Sequence, residues 1–182
     1  MDYTRLRIET TRLILRPFAM SDAESWLAIM RDPQVMRYWS HSAWQDLQQA
    51  EESIAGDMKG MAAGTHLKLA ITAKSDNQCL GMCTFFHHHP GSARGAIGYC
   101  LATEAQGQGY MREALQHFCD FLQNQLSLRR LEADIHPDNQ ASARVLERIG
   151  FRQEGIMRQR WCVDGQASDS LLYGLLLSER KE

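Results

Sequence analysis

Residues 96–122 read AIGYCLATEAQGQGYMREALQHFCDFL. Ala96 to Leu101 is an apolar run of strand length. Gln106 to Gly109 is a glycine-bearing loop. From Tyr110 to about Leu126 the apolar period becomes helical, with Ala114, Leu115, Phe118, Phe121 and Leu122 on one face. A strand, a glycine loop and a helix in this order turn several backbone N–H groups toward one point. The helix N-terminus adds about half a positive charge there. Glycine lets the backbone come close to a ligand. The unit is therefore built to hold an anion, and it belongs to a sheet covered by helices.

Three kinds of phosphate loop use this design. A Walker loop requires Lys-Ser/Thr after its last glycine, and none follows Gly109. A dinucleotide fingerprint counted from Gly107 finds Gly109 in place but Arg112 where the third glycine belongs. The loop that binds coenzyme A has the form Q/R-x-x-G-x-G/A. Gln106 and Gly109 match it, and Met111 takes the final small position. The candidate contact set is Gln106, Gly107, Gln108, Gly109, Tyr110, Met111 and Arg112. The bland alternative, a glycine turn before a helix, stays open on these residues alone.

Upstream, Arg12 to Phe18 alternates as a strand, and Ser21 reads as the N-cap of a helix that ends near Asp32-Pro33. Trp44 to Met58 reads as a second helix, closed by Gly60 and Gly64. Leu67 to Thr72 and Cys79 to Phe86 read as antiparallel strands around Asp76-Asn77. Downstream come a strand from Leu131 to His136, a helix from Ala141 to Ile149 with Gly150 as its C′ residue, and a strand from Phe151. Asp164-Gly165 signals a hairpin into the last strand, Leu171 to Leu177. The order predicts an α/β fold of the mixed α+β kind, one domain over residues 1–182, with a central mixed sheet and helices on both faces.

The chain has 182 residues, 44% of them hydrophobic and 23% charged, with a formal net charge of −2. That supplies a core and argues against a protein built to hold nucleic acid. No apolar run reaches the roughly 20 residues of a membrane span, and the segment from Met1 to Thr11 has no signal-peptide character. A cytoplasmic setting is expected, in which the five cysteines are reduced thiols. Cys79, Cys83 and His87 are spaced by four on one predicted strand, so neighbours stand about 13 Å apart. Zinc ligands sit about 2 Å from the ion, and this spacing reads as structural.

A second constellation, His136-Pro137-Asp138-Asn139-Gln140-Ala141-Ser142 followed by Val145-Leu146-Glu147-Arg148-Ile149-Gly150-Phe151, ends a strand and opens a helix. Paired with the glycine loop at this separation, it resembles the GNAT superfamily of N-acetyltransferases. The branch is similar to the RimJ/RimL-type enzymes that acetylate ribosomal-protein N-termini. TRLILRPF, AIGYCL, GQGYMREAL and DGQASDSLLYGLL carry the same resemblance, which spans about Thr10 to Leu177.

The resemblance implies acetyl-CoA as cosubstrate and direct attack by a primary amine in a ternary complex. The amine belongs to a protein N-terminus or to a small molecule such as a polyamine, amino sugar or amino acid. It implies two parallel strands, Ala96–Leu101 and Leu131–His136, that splay apart, with Gly98 as the site of a bulge. The pantetheine arm is expected along the edge Tyr99, Cys100 and Leu101. Asn139 is expected to bind the pantetheine or a water, against its bland reading as a helix cap. Ser142 is expected near the sulfur, as the acid for the leaving thiolate, against its bland reading as an exposed helical serine.

Arg112, Arg144 and Arg148 are candidates for the 3′-phosphate side. Arg37-Tyr38-Trp39-Ser40-His41 is the candidate acceptor wall. The base is open: the resemblance expects a glutamate at Ala96 or near Arg160-Trp161, which leaves His87, His88, His89, Glu104, Asp164 or water. A non-catalytic acyl-CoA sensor and a nucleotide-dependent enzyme are the competing readings. No metal is expected, and oligomeric state, a homodimer included, is open.

Overall fold

The structure, a computed structural model, describes residues 2–180; Met1, Lys181 and Glu182, which the domain bounds 1–182 include, lie outside them. Eight strands form one sheet in the order β1-β2-β3-β4-β5-β6-β8-β7. They are β1 (Ile8–Glu9), β2 (Leu13–Pro17), β3 (Leu67–Ala73), β4 (Cys79–His89), β5 (Arg94–Leu101), β6 (Arg130–Ile135), β7 (Arg152–Val163) and β8 (Gln166–Leu176). All neighbours are antiparallel except β5 and β6. The helices are α1 (Ala23–Arg31), α2 (Pro33–Met36), α3 (Leu47–Ala63), α4 (Tyr110–Leu126) and α5 (Gln140–Ile149).

Residue parity on β3 and β4 sorts the helices. Lys68 of β3 reaches Asp57 of α3 at 2.7 Å and lies over the Trp26 ring of α1. Leu69 points the other way, as its partner Cys83 does, and Cys83 lies near Cys119 of α4. So α1 and α3 cover one face and α4 the other. Leu13, Leu15, Leu67, Leu69, Ile71, Leu115, Phe118 and Leu122 are fully buried between these layers. Of the predicted α4 stripe, Phe121 is the member only partly buried.

Local chemistry moved several predicted boundaries. Ser21 lies in a 3-10 turn and does not cap α1. The buried Asp22 carboxylate next to it binds Arg16 at 2.7 and 2.8 Å and the Ala19 amide at 2.8 Å, and this fixes the turn. The second long helix starts at Leu47 rather than Trp44. The Asp46 carboxylate accepts from the Gln49 amide, and the Gln49 side chain returns to the Asp46 N–H. Trp44 instead donates its amide to Met30 and stacks edge-on to Trp26. The helix runs past Met58 to Ala63, with left-handed Gly64 as its cap. Gly60 lies within its last turn, where a Cβ would strike the His66 ring. Asp164 and Gly165 both have positive φ, 49° and 78°, as a two-residue type I′ hairpin requires.

Between β5 and β6 only three pairs form: Arg94 with Arg130, Gly95 with Leu131 and Ala96 with Glu132. β6 then stays with β8 as far as Ile135, while Ile97 to Leu101 follows β4 alone. The sheet therefore opens at its centre, toward the C-terminal ends of its parallel pair. Gly98 carries no bulge, because its pairing with Thr84 belongs to an unbroken ladder from Ala96 to Leu101. The register shift lies between Phe86 and His89, where His87 takes φ 51°.

Candidate active site at the splayed strands

Two cavities meet in this opening. One, of about 450 Å³, lies over the glycine loop; the other, of about 800 Å³, runs toward β6, β7 and β8. Tyr38, Trp39, Tyr99, Asn139 and Ser142 line both, so the cavities join above the end of the β5–β6 pairing.

The smaller cavity is made by the loop. Gly107 and Gly109 have φ of 74° and 79°, the left-handed region in which side chains are strained. A Cβ on Gly107 would meet open space, so it is the backbone bend that requires glycine there. Gly109 is the N-cap of α4, and no side chain caps that helix. Its first-turn N–H groups are therefore free for an anion at the positive end of a 17-residue helix. Gln106, Gly107, Gly109, Tyr110, Met111 and Arg112 line this cavity, as do Tyr99, Cys100 and Leu101. Gln108 does not. Its side chain donates to the Glu104 carbonyl at 2.8 Å, and its own carbonyl accepts from Arg12 at 3.0 Å. Gln106 turns its amide back to the Leu101 carbonyl. Met111 is 7% exposed and packs into the core, so its bulk does not close the loop. Arg144 and Arg148 of α5 line the opposite wall, and with Arg112 they have no ion-pair partner among the described residues.

Arg12 was not singled out by its sequence position. Its guanidinium lies 4.4 Å from the Tyr110 ring centroid and pairs with Glu113 at 2.7 Å, tying the β1–β2 turn to the first turn of α4. Burial pushes the Glu113 carboxyl up. Hydrogen bonds from Thr10 and from the Arg12 amide and guanidinium outweigh that and hold it below its ordinary value.

At the junction, Asn139 caps α5 by accepting from the Ser142 amide at 3.1 Å, and it also lines both cavities. The Ser142 hydroxyl makes no hydrogen bond among the described residues. The Tyr99 hydroxyl donates to the Ser142 carbonyl at 3.4 Å, and burial pushes this phenol well above its ordinary value, so it stays protonated. Burial likewise raises the Cys100 thiol to about 12, which leaves it unreactive at neutral pH.

The larger cavity takes Arg37, Tyr38, Trp39 and Ser40 from the predicted acceptor wall, whereas His41 stays behind and accepts from the Trp39 indole at 2.7 Å. Of the candidate bases only His87 lines it. His89 accepts from the Ser92 amide, and Asp164 accepts from Ser42. Two carboxylates and a histidine that were not singled out as bases also line it: Glu132, Asp134 and His136. Their i, i+2, i+4 spacing at the end of a short strand was the available signal. Glu132 pairs with Arg94 and Arg130, and the His136 ring stacks on Tyr38 with centroids 5.0 Å apart.

Similarity to known proteins agrees with this geometry. The uncharacterized N-acetyltransferase p20 of Bacillus licheniformis is 29% identical over 170 residues, covering 93% of this chain and 96% of the relative. The [ribosomal protein uS5]-alanine N-acetyltransferase of Escherichia coli is 26% identical over 184 residues, covering 94% and 91%. Mycobacterium smegmatis RimJ, solved in complex with CoA-disulfide, superposes with a TM-score of 0.87 at 25% identity, covering all of this chain and 93% of that one. A loop that presents free helix N–H groups, a central parallel pair that parts after three rungs and a match of residues 12–152 to the acetyltransferase (GNAT) domain together establish that the chain belongs to that family and is an N-acetyltransferase.

Proposed function

We propose that the chain transfers an acetyl group from acetyl-CoA to a primary amine in a ternary complex, and that the acceptor is a protein N-terminal α-amine. The observation that carries this reading is the meeting of the two cavities at Tyr99, Asn139 and Ser142. A donor in one and an acceptor in the other would face each other there, and such positioning supplies much of the rate of an acyl transfer. GNAT acetyltransferases take their acetyl group from acetyl-CoA, which supplies an activated thioester.

The residues present fit that donor. The uncapped N-terminus of α4 and the left-handed glycines suit a pyrophosphate, and Arg112, Arg144 and Arg148 suit a further phosphate. The unpaired edge of β5 from Tyr99 to Leu101 offers backbone groups to the amides of a pantetheine arm. The CoA-disulfide on the mycobacterial relative supports this seat, and the uS5-alanine activity of the Escherichia coli relative supports a peptide α-amine. The Ser142 hydroxyl is placed to donate toward a leaving sulfur, and Tyr99 holds the turn that carries it. Five unbridged cysteines suit a cytoplasmic setting, and no described helix is long and apolar enough to cross a membrane.

The test is amine-dependent release of free thiol from acetyl-CoA over a panel of peptides with alanine or serine N-termini, polyamines, amino sugars and amino acids. Peptides should give the fastest release. A faster small amine would move the acceptor class, and thiol release that no amine accelerates would overturn the enzymatic reading in favour of a binding protein.

A further inference from the structure

Resting on the reading just given, we infer that Asp134 holds the acceptor's ammonium group and takes its proton. β5 and β6 last pair at Ala96 and Glu132. Two residues further on, roughly 7 Å along each strand, Asp134 stands across the opened gap from Gly98. Tyr99, the next residue on β5, lines both cavities.

The Asp134 carboxylate is held from one side only. Its Oδ2 accepts from the Trp161 indole N–H at 2.8 Å and from the Ser170 hydroxyl at 2.9 Å. Its Oδ1 has no partner among the described residues, and the residue lines the larger cavity. Two donors on one oxygen fix the rotamer and leave the other oxygen for a ligand. Glu132 and His136 of this cavity are engaged elsewhere, and Arg37 and Arg160 also line it. Both oxygens of Glu132 are taken by Arg130 and Arg94 at 2.9 and 3.0 Å. His136 accepts from the Asp138 amide and stacks on Tyr38. The His87 ring packs against the Phe86 ring in the bulge of β4, and its nitrogens have no hydrogen bond among the described residues. Asp134 Oδ1 is thus the carboxylate oxygen of this cavity left without a partner, while the Arg37 and Arg160 guanidinium groups each lie over a ring, Tyr38 and Trp161, 5.2 Å from the centroid.

One acceptor proton passes to Oδ1, and the nitrogen lone pair it leaves forms the new C–N bond as the C–S bond breaks. Sulfur takes the electron pair of the C–S bond and the second amine proton by way of its donor, and Asp134 returns the first proton to water in the open cavity. A carboxylate in this place contributes only when the amine arrives charged.

The experiment compares the wild type with Asp134→Asn on two acceptors of one shape: an amine from the panel above, and its β-fluorinated analogue, whose weakly basic nitrogen arrives neutral. The amide of asparagine can still accept from Trp161 and Ser170. The kcat/KM for the charged acceptor should fall about 100-fold, that for the fluorinated analogue by less than about tenfold, and acetyl-CoA affinity should stay within about twofold. Equal losses on both acceptors, or no loss, would overturn the assignment. Should the asparagine variant not fold, Asp134→Ser gives the same comparison, because serine removes the carboxylate without needing either hydrogen bond. A wild-type enzyme that acetylates no amine would refute the enzymatic reading itself. Wild-type turnover with an indifferent Asp134 would refute this inference alone.

Discussion

Ser142 offers a hydroxyl with no hydrogen-bond partner among the described residues at the point where the two cavities join. A fixed donor that meets charge growing on sulfur acts in the transition state, so its loss should appear in kcat and hardly in acetyl-CoA affinity. Ser142→Ala should lower kcat about tenfold or more while acetyl-CoA binds within about twofold. Unchanged turnover would leave water or a nearby tyrosine, Tyr99 or Tyr110, as proton source; Tyr110 lies in the smaller cavity beneath Arg12. Gly109 has φ 79°, and a Cβ there would lie 3.5 Å from Arg12. Gly109→Val should cost about 1–3 kcal/mol in backbone strain and weaken acetyl-CoA at least about tenfold, because the branched side chain fills the anion seat. Calorimetric affinity within about twofold of wild type would place the donor elsewhere. Gly109 stood out in the sequence because its loop motif is local, and Ser142 because of the family resemblance. Asp134 did not: the resemblance points to Ala96 and Arg160-Trp161 for the base, and only the fold reveals that the indole at position 161 reaches across to a carboxylate on β6.

Among the elements, α5 and α4 each test a different joint. Asn139 caps α5, so Asn139→Ala should lower stability by about 1 kcal/mol. It should also weaken acetyl-CoA affinity or turnover beyond what that loss explains. A variant with the stability loss and normal kinetics would reduce Asn139 to a cap. α4 is pinned to the β1–β2 turn through Glu113, Thr10 and Arg12. Hydrogen bonds to a charged group are worth about 1.5–3 kcal/mol in favourable settings, and the half-exposed Arg12 puts Glu113→Gln at about 1–2 kcal/mol. The Glu113 carboxyl titrates below its ordinary value in the folded state, so its stabilisation is complete above that ordinary value and disappears as pH falls through the lowered one. Urea midpoints of wild type and Glu113→Gln should therefore differ at neutral pH and approach each other as the pH falls into the acid range; a gap that persists in acid would assign the effect to packing. α4 itself was readable from Tyr110 to Leu126 because its period is strong and its glycine sits at the boundary. The start of α3 was misread because Trp44 completes an apolar period while packing on α1, and the Asp46–Gln49 capping box carried the decisive information.

At the scale of the molecule, the mixed sheet follows from the order of the elements, which was visible in the chain, and the opening of its parallel pair was implied by the family resemblance. What was hidden is which side chains the opening collects. Glu132 and Asp134 on β6, Trp161 on β7 and Ser170 on β8 are brought together by register, which no local spacing encodes. The central claim is that acetyl-CoA is the ligand for which the glycine loop and the β5 edge are built. Thermal unfolding with acetyl-CoA, ATP and NAD in parallel tests it most directly. A ligand at about 100 times its dissociation constant adds about 2.7 kcal/mol, which for a chain of this length raises the midpoint by roughly 5–10 °C. Acetyl-CoA should produce that shift, with ATP and NAD giving little; a flat response to acetyl-CoA, or a larger shift with either nucleotide, would contradict the account.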